Sequence, residues 1–600
     1  MRTLRPAAAC LALLAASAPR SAEGPAPADS RDALLSALAA QLESARARWM
    51  AAEGTGPRPY YVAYRVADDT EYTDSAGFGA LQDVVVANGP IGDRKRWLDV
   101  SVRVGSPELD STHRLRDSFD FDWLDSRDDG LLPIEDDAGA LQLAIWRVTD
   151  GAYRGALRRY LKVKANREVK VEEEDRAADF SDEKLAVSVG PPAAAAVDRA
   201  LWRERLRRAS ARFRDHPIIL VGEVSLHVRT GTRYFADTAG SRIRQAHFAA
   251  RVAISGQARA DDGNEVELFD SIEADRPDGL PDEATVAARV EALAKRLEAV
   301  RAAPPVDAYS GPAIVAGRAA AVMFHEIFGH RIEGHRQKDE DDGHTFTKKL
   351  GQRIVPDFIS VADDPTQRAW GPTPLSGAYA FDDEGVPAQR VPLVERGVLK
   401  GFLMGRSPIR GFPHSNGHGR AQAGRGPVAR QGNLLVQSSQ ELAPAALRER
   451  LLAELRKRNK PYGLIIDEIA GGFTNTQAGA MPQAFKVIPR VVTRVYADGR
   501  KDELVRGVDL VGTPLSTFEQ ILATGSDSGV FNGVCGAESG WVPVSAVAPS
   551  LLVGEIEVER KGKGHDRPPL LPPPLFPSMA WGPPKPAAPP APPSATRDQP

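Results

Sequence analysis

One segment of the chain carries the residue types of a metal-dependent hydrolase. The stretch AAVMFHEIFGHRIEG, residues 320–334, contains His325, Glu326 and His330 in an HExxxH pattern. In the familiar HExxH helix, two histidines bind zinc from one helix face and the glutamate acts as general base. Here the histidines are five positions apart instead of four. The residue types indicate metal-assisted hydrolysis, and the spacing requires a local change in the helix.

The spacing can be reconciled with a shared metal if the helix is distorted. At about 100° per residue, five residues place His330 roughly 140° away from His325 around a straight helix. A π-bulge adds one residue to a turn and would bring both histidines onto one face. Gly329 lowers the steric cost, so we predict a π-bulge near residues 325–330. The alternative is two packed histidines with no common ligand, and for an isolated HExxxH pattern this alternative is favoured.

Two histidines make an incomplete site, because a catalytic zinc usually takes three protein ligands and leaves one position for water. The chain contains two cysteines, Cys10 and Cys535. If the N-terminal segment around Cys10 is removed, Cys535 has no partner for an internal disulfide. Cys535 is therefore a candidate third ligand. Position in the sequence leaves other candidates open: Glu333, His335, His344, His414 and His418.

The N-terminus has the layout of a secretory signal peptide. Arg2 and Arg5 precede the apolar run of residues 7–16, and small residues follow. This order predicts a signal over approximately residues 1–22 and an exported protein, periplasmic or extracellular. The alternative is an Ala-rich first helix of the mature protein.

Composition restricts the remaining classes of function. The 600 residues are 42% hydrophobic and 26% charged, with a formal net charge of -3. This length predicts several domains, and the balanced charge argues against nucleic-acid binding driven by phosphate contacts. After the first residues no apolar run is long enough for a membrane span, so we expect no transmembrane segment in the mature chain.

Hydrophobic periodicity and turn residues predict an α+β protein. We expect a mixed α/β N-terminal part and a β-rich C-terminal domain that carries one zinc-binding helix. Helices are predicted at about 32–53, 138–166, 195–214, 283–301, 444–459 and 517–525, and strands at 59–67, 81–89, 95–105, 217–229, 232–237, 241–255, 265–269 and 312–317. The predicted domains are 23–215 with an inserted helical and acidic segment at about 107–200, 216–305, and the catalytic 306–560, followed by a proline-rich disordered tail at 561–600.

Several linked motifs add a resemblance to a known family. HEIFGHRIEG is followed in order by FDDEGVP (381–387), NGHGR (416–420), GLIIDEIAGG (463–472) and FNGVCGAESGWVPV (531–544). The set resembles the TldD/PmbA family of zinc metallopeptidases, and is most similar to exported TldD-like members. The resemblance covers roughly residues 55–105 and 215–560. The signal segment, the proline-rich tail and the insertion at about 107–200 depart from the family pattern.

The resemblance implies specific roles for four residues. His325, His330 and Cys535 would bind Zn²⁺, and Glu326 would be the catalytic base. It also implies unfolded peptides or peptide tails as substrates and a dimer, formed with itself or with a related subunit.

From the Gly-rich runs at 416–427 and 471–481 we predict cleft loops, with His418 and Arg420 as candidates for oxyanion or substrate binding. Ordinary connections between strands are an equally good explanation of these runs.

The sequence therefore predicts a zinc-dependent peptidase in which zinc and Glu326 activate water. The alternative is a cell-envelope binding or assembly protein with a structural zinc and no hydrolytic activity. A fourth protein ligand, for example His335 or His418, would favour that alternative, because structural zinc sites are normally closed by four ligands.

Overall fold

The computed structural model describes residues 32–50, 56–82, 94–115, 130–169, 175–338, 345–474, 485–512, 514–561, 569 and 571–578. The predicted signal peptide, His344, most of the proline-rich tail and part of the predicted loop 471–481 lie outside these residues. Within them, no helix combines the length and apolar character needed to span a membrane.

The N-terminal half of the described chain is built on one sheet. Its strands are β1 (Pro59–Gly77), β2 (Ala80–Gln82), β3 (Arg94–Ser106), β4 (Leu109–Asp110), β5 (Val187–Val189), β6 (Ile219–Asp237), β7 (Arg242–Arg259) and β8 (Glu265–Ala274). The strand order is β4-β3-β1-β6-β7-β5, with β2 beside β1 and β8 beside β7. Because β1 pairs with β6 over their whole central lengths, the predicted boundary at 215/216 runs through a single sheet.

One face of this sheet is covered by helices. These are α1 (Ala33–Ala45), which a short π-helical turn Arg46–Met50 follows, α2 (Ala138–Val169), α3 (Arg199–Ala211) and α4 (Glu283–Ala302). Side chains alternate along the strands, so Val62, Tyr64 and Val66 of β1 pack into the apolar core under α1 and α2. The intervening Arg65 and Asp69 point to the opposite face, where Arg65 contacts carbonyls of residues 421–425 in the C-terminal half.

The C-terminal half contains a second, larger sheet. Its strands are β9 (Tyr309–Val315), β10 (Ile359–Asp363), β13 (Val391–Glu395), β14 (Val398–Leu399), β17 (Asn433–Ser438), β18 (Glu441–Leu442), β19 (Tyr462–Thr474), β20 (Phe485–Tyr496), β21 (Glu503–Val505), β22 (Val508–Gly512), β23 (Ile521–Ala537) and β24 (Gly540–Arg560). Two small ribbons pair β11 (Ala369–Trp370) with β12 (Thr373–Pro374) and β15 (Gly419–Arg420) with β16 (Val428–Ala429). The helices here are α5 (Gly317–Ile327), α6 (His335–Lys338), α7 (Pro444–Lys457) and α8 (Pro514–Glu519).

Part of this sheet closes on itself, and the motif helix packs against its strands. Strand β24 pairs with both β22 and β9, and β9 pairs with β19, so β24-β22-β20-β19-β9 forms a closed circuit. Helix α5 is buried along almost its full length in the core that these strands share. The fold therefore holds the HExxxH segment rigidly against the strands.

The predicted fold class, α+β with a β-rich C-terminal domain, is confirmed. Of the six predicted helices, five correspond to α1, α2, α3, α4 and α7. The sixth, at 517–525, is wrong in its second half: α8 ends at Glu519 and β23 begins at Ile521, where pairing with β24 overrides the helical pattern. The two strands predicted at 217–229 and 232–237 form one continuous strand, β6.

Candidate metal centre

The structure brings His325 and His330 of the HExxxH segment together without a π-bulge. Helix α5 is a regular α-helix to Ile327, and the Phe328 N–H still donates to the Phe324 carbonyl at 2.9 Å. A 3-10 turn over Gly329–Arg331 follows, with the Arg331 N–H donating to the Phe328 carbonyl at 2.9 Å. The predicted π-bulge is therefore wrong, because the helix ends before His330.

Gly329 has a packing role instead of the predicted role in a bulge. A Cβ atom on Gly329 would lie 1.9 Å from Oε1 of Gln431. The Gln431 amide in turn donates to the His325 carbonyl at 3.5 Å. The absence of a side chain thus lets the turn approach the segment that supports helix α5.

The turn brings His330 back beside His325 and next to Cys535 on strand β23. Each of these three side chains offers one ligand atom within 4.8 Å of the others. Cys535 Sγ lies 3.3 Å from His330 Nε2, and the two imidazole centroids are 5.2 Å apart. All three side chains are buried, at 3%, 7% and 5% exposure for His325, His330 and Cys535.

The donors fit a divalent transition metal. His325 Nδ1 is buried and has no hydrogen-bond partner among the described residues, which is costly unless another group satisfies the site. Two imidazoles and a thiol are soft and borderline donors of the kind that such metals select. Cys535 is a free cysteine, so its sulfur is available as a ligand.

Electrostatics in the protein without metal favour a charged pair at this site. Burial alone would raise the pKa of the Cys535 thiol, but the His330 and His325 imidazoles hold it well below its usual range. Burial would lower the pKa of His330, yet Cys535 and Glu333 together raise it to about 10. A thiolate is the form that binds metal, so the protein stabilises the ligand form of the sulfur in advance.

Glu326 follows His325 on helix α5 and is partly exposed, unlike its neighbours. Its side chain lies against Gly472 of β19, where an added Cβ would come within 2.7 Å of the glutamate Cγ. The Glu326 carbonyl accepts a hydrogen bond from Arg331 Nη1 at 3.2 Å. Its partial exposure distinguishes Glu326 from the buried His325 beside it in the sequence.

His418 and Arg420 are bonded within a separate buried network. His418 Nδ1 lies 3.0 Å from the Asn416 carbonyl, and its Nε2 lies 3.3 Å from Asp363 Oδ1. Arg420 donates to the Gln431 carbonyl and stacks on Tyr379. None of these contacts is with His325, His330 or Cys535.

The remaining candidate ligands lie around the cluster or outside it. Glu333 is fully buried, with Oε2 3.6 Å from His330 Nδ1. His335 Nε2 contacts Glu538, and the side chain of His414 is 69% exposed beside Glu183. Among the described residues, only His325, His330 and Cys535 form a cluster that could hold a metal.

Sequence reasoning missed Arg430. This fully buried arginine donates from Nη2 to the Cys535 carbonyl at 2.8 Å, and its Nε lies 3.4 Å from Glu333 Oε1. It belongs to none of the histidine, cysteine or acidic patterns that mark metal sites. For Glu333 a signal existed, since it lies three residues after His330 in the motif segment.

Residues 309–560 match the family described as PmbA/TldA metallopeptidase C-terminal domain. A protein of Archaeoglobus fulgidus named "Metalloprotease" is 29% identical over 264 residues, 44% of this chain and 55% of that protein. A "Zinc metalloprotease TldD homolog" of Saccharolobus solfataricus is 27% identical over 249 residues, 41% of this chain and 51% of that protein. The chain spans about half the length of these curated relatives.

The fold has a solved counterpart. The crystal structure of TldE from Thermococcus kodakarensis superimposes with a TM-score of 0.54 and 15% sequence identity, covering 87% of this chain and all of that one. At this identity the match shows the fold alone. It includes the N-terminal half, which lies outside the family match to residues 309–560.

Proposed function

We propose that this chain, which belongs to the TldD/PmbA family, is a zinc-dependent peptidase whose metal is held by His325, His330 and Cys535. The observation that carries the proposal is the convergence of these three buried side chains; Glu326 follows His325 directly in the sequence. A structural zinc site is normally closed by four protein ligands. Three ligands in the described cluster favour a catalytic site over the structural alternative.

The proposed mechanism assigns separate roles to Glu326 and to the three metal-binding side chains. When bound, zinc supplies a Lewis acid that polarises the scissile carbonyl and acidifies a water molecule. Glu326 accepts the proton of the attacking water and delivers it to the leaving amine. The imidazoles of His325 and His330 and the thiolate of Cys535 would hold the zinc.

We infer that the substrate is an extended, unfolded peptide. The N-terminal sheet lies against the strand that carries Cys535, because Arg251 of β7 donates to the Asn532 carbonyl of β23 at 3.2 Å. The side chains of His325, His330 and Cys535 are themselves nearly inaccessible. A covered site of this kind suits a single extended strand, which can also bond through its main chain.

Two further proposals rest on sequence and family. The signal-like N-terminus supports export to the periplasm or the extracellular space. The family supports a dimer, with itself or with a related subunit. N-terminal sequencing of the mature protein and its mass in solution would test them separately.

The proposed function is tested by Glu326→Gln measured beside the parent on unfolded polypeptides. General acid–base catalysis contributes about 10²–10⁴-fold, so turnover should fall by at least about 10²-fold while zinc content is unchanged. Glu298→Gln, on helix α4, is the matched control and should keep full activity. Equal turnover in Glu326→Gln and the parent would contradict the assignment of the base.

A further inference from the structure

Glu333 holds the side of His330 that faces away from the sulfur. His330 Nε2 lies 3.3 Å from Cys535 Sγ, whereas its Nδ1 lies 3.6 Å from Glu333 Oε2. Glu333 is fully buried and is fixed in turn by Arg336, whose Nε donates to the same carboxylate oxygen at 2.8 Å. Metal-ligating histidines commonly present their second nitrogen to a carboxylate, which sets the ring orientation.

Arg430 fixes the main chain around Cys535, as Glu333 fixes the His330 ring. Its Nη2 donates to the Cys535 carbonyl at 2.8 Å, and its Nη1 donates to Ser539 Oγ at 2.8 Å and to the Gly540 carbonyl at 3.1 Å. The Arg430 guanidinium therefore hydrogen-bonds to the main chain on both sides of the turn between β23 and β24. The planar guanidinium of arginine can make several such hydrogen bonds at once, which suits this role better than the single ammonium of lysine.

The two groups also meet each other. Arg430 Nε lies 3.4 Å from Glu333 Oε1, and both side chains are fully buried. The atoms Glu333 Oε1 and Arg430 Nε have no conventional hydrogen-bond partner among the described residues. Burying such charges is expensive, so the pair needs a reason to be in the core.

We propose that Glu333 and Arg430 are positioning residues that together fix His330 and Cys535 in the geometry required for metal binding. Through this pair, the 3-10 turn with His330 and the end of β23 with Cys535, two residues that are 205 positions apart in sequence, become one ligand frame. This inference rests on the proposed metal site but not on the identity of the substrate.

Cobalt(II) titration of the metal-free full-length protein tests the inference without using activity. Its visible spectrum reports ligand geometry, and a thiolate-to-cobalt band reports Cys535. Outer partners of metal ligands typically contribute about 10–100-fold to metal affinity. We expect Glu333→Gln to weaken Co²⁺ binding by about that factor and to shift the ligand-field bands, and Glu333→Asp to recover part of the loss.

Arg430→Lys is measured in parallel, so that the outcome does not depend on one variant folding. Arg430→Lys should weaken Co²⁺ binding and change the thiolate-to-cobalt band, because the guanidinium hydrogen bond to the Cys535 carbonyl is lost. The matched control is Glu454→Gln, a buried carboxylate on α7 beside Lys457 and Arg458, which should bind Co²⁺ as the parent does.

Parent-like affinity and spectra in either Glu333→Gln or Arg430→Lys would overturn the proposal. A parent that shows the thiolate band but hydrolyses no peptide would reject the proposed function and leave this inference intact. A parent that binds no Co²⁺ would reject both.

Discussion

At the scale of single residues, the side chains that converge were easier to predict than the backbone that brings them together. The types of His325, Glu326, His330 and Cys535 predicted a metal site, and the structure brings His325, His330 and Cys535 together. The predicted π-bulge was wrong because a helix end followed by a 3-10 turn also reconciles the five-residue spacing. This turn packs closely against Gln431, far along the chain. Local sequence carries no information about that contact.

Gly472 provides the most specific test of where the Glu326 side chain lies. In Gly472→Ala the new Cβ would lie 2.7 Å from both Glu326 Cγ and Val487 Cγ1, and we expect it to displace the Glu326 carboxylate. Misplacing a catalytic group by about 1 Å can cost on the order of 10²-fold in rate. We expect kcat to fall by at least about 10-fold, with zinc content unchanged, in steady-state assays on unfolded polypeptide.

The neighbouring Gly471 is the control for that substitution. A Cβ on Gly471 would meet nothing within 4 Å, so Gly471→Ala should leave kcat at the parent value. Full activity in Gly472→Ala would mean that the Glu326 carboxylate does not act from the position seen here.

At the scale of elements, helix α5 and strand β23 approach each other closely enough to exclude side chains. A Cβ on Gly529 of β23 would lie 2.1 Å from the Arg318 backbone nitrogen at the start of α5. This contact sets the distance between the two elements that carry His325 and Cys535. Backbone atoms cannot be moved aside as a flexible side chain can.

Gly529→Ala should therefore destabilise the fold and weaken the metal site together. Overpacking of a core contact costs about 1–3 kcal/mol, and we expect a loss in this range in urea unfolding of the metal-free protein. Zinc affinity should fall as well, because the ligand-bearing elements are forced apart. Unchanged stability and affinity would show that the approach is not needed.

Gly151 gives the opposite expectation and serves as the reference. It lies inside helix α2 with nothing within 4 Å of an added Cβ. Alanine is favoured over glycine in a helix by about 0.8–1 kcal/mol, so Gly151→Ala should stabilise the protein slightly in the same urea experiment. A destabilised Gly151→Ala would mean that this part of α2 packs more tightly than the structure shows.

Element-level prediction succeeded where local periodicity is strong. Helix α4 was predicted at 283–301 and spans Glu283–Ala302, with Asp282 as its N-cap. The closed strand circuit was not predictable in the same way, because the pairing of β9 with both β19 and β24 joins segments far apart in the chain. Register between distant strands depends on packing rather than on local pattern.

At the scale of the whole molecule, buried aspartates of the N-terminal sheet make stability depend on acid pH. Burial alone would raise the pKa values of Asp68, Asp69 and Asp110. Hydrogen bonds from neighbouring side chains, together with nearby arginines, hold all three pKa values below the ordinary value. A lowered folded-state pKa contributes stability that is present above the unfolded pKa of about 3.9 and is lost as pH falls through the folded pKa.

The free energy of unfolding should accordingly be constant with respect to these groups above about pH 5 and decline as pH falls below about 4. Asp69→Asn should lower stability at pH 7 by about 3 kcal/mol, because it leaves buried cationic partners unpaired, and should make the acid decline shallower. Asp278→Asn, at a side chain that is 79% exposed, should change neither. Urea unfolding from pH 3 to 8 measures the stability at pH 7 and its decline in acid. An acid decline in Asp69→Asn equal to that of the parent would contradict the role of Asp69.

Domain division was the least predictable property at this scale. The predicted boundary at 215/216 followed a change from helical to strand-like pattern, yet β1 and β6 on its two sides are neighbours in one sheet. The insertion that contains α2 separates them in sequence without separating them in space. Such non-local pairing leaves no compositional mark at the point where a linker is expected.

The central claim is that His325, His330 and Cys535 hold one metal ion, and metal analysis tests it most directly. We would measure zinc in the purified full-length protein beside Cys535→Ser and the control Ser101→Ala, a change at an exposed serine of β3. The account predicts about one zinc per chain in the parent and the control, and a large loss in Cys535→Ser, since three ligands form the site. A parent that retains no metal after reconstitution, or a Cys535→Ser variant with parental zinc, would contradict it.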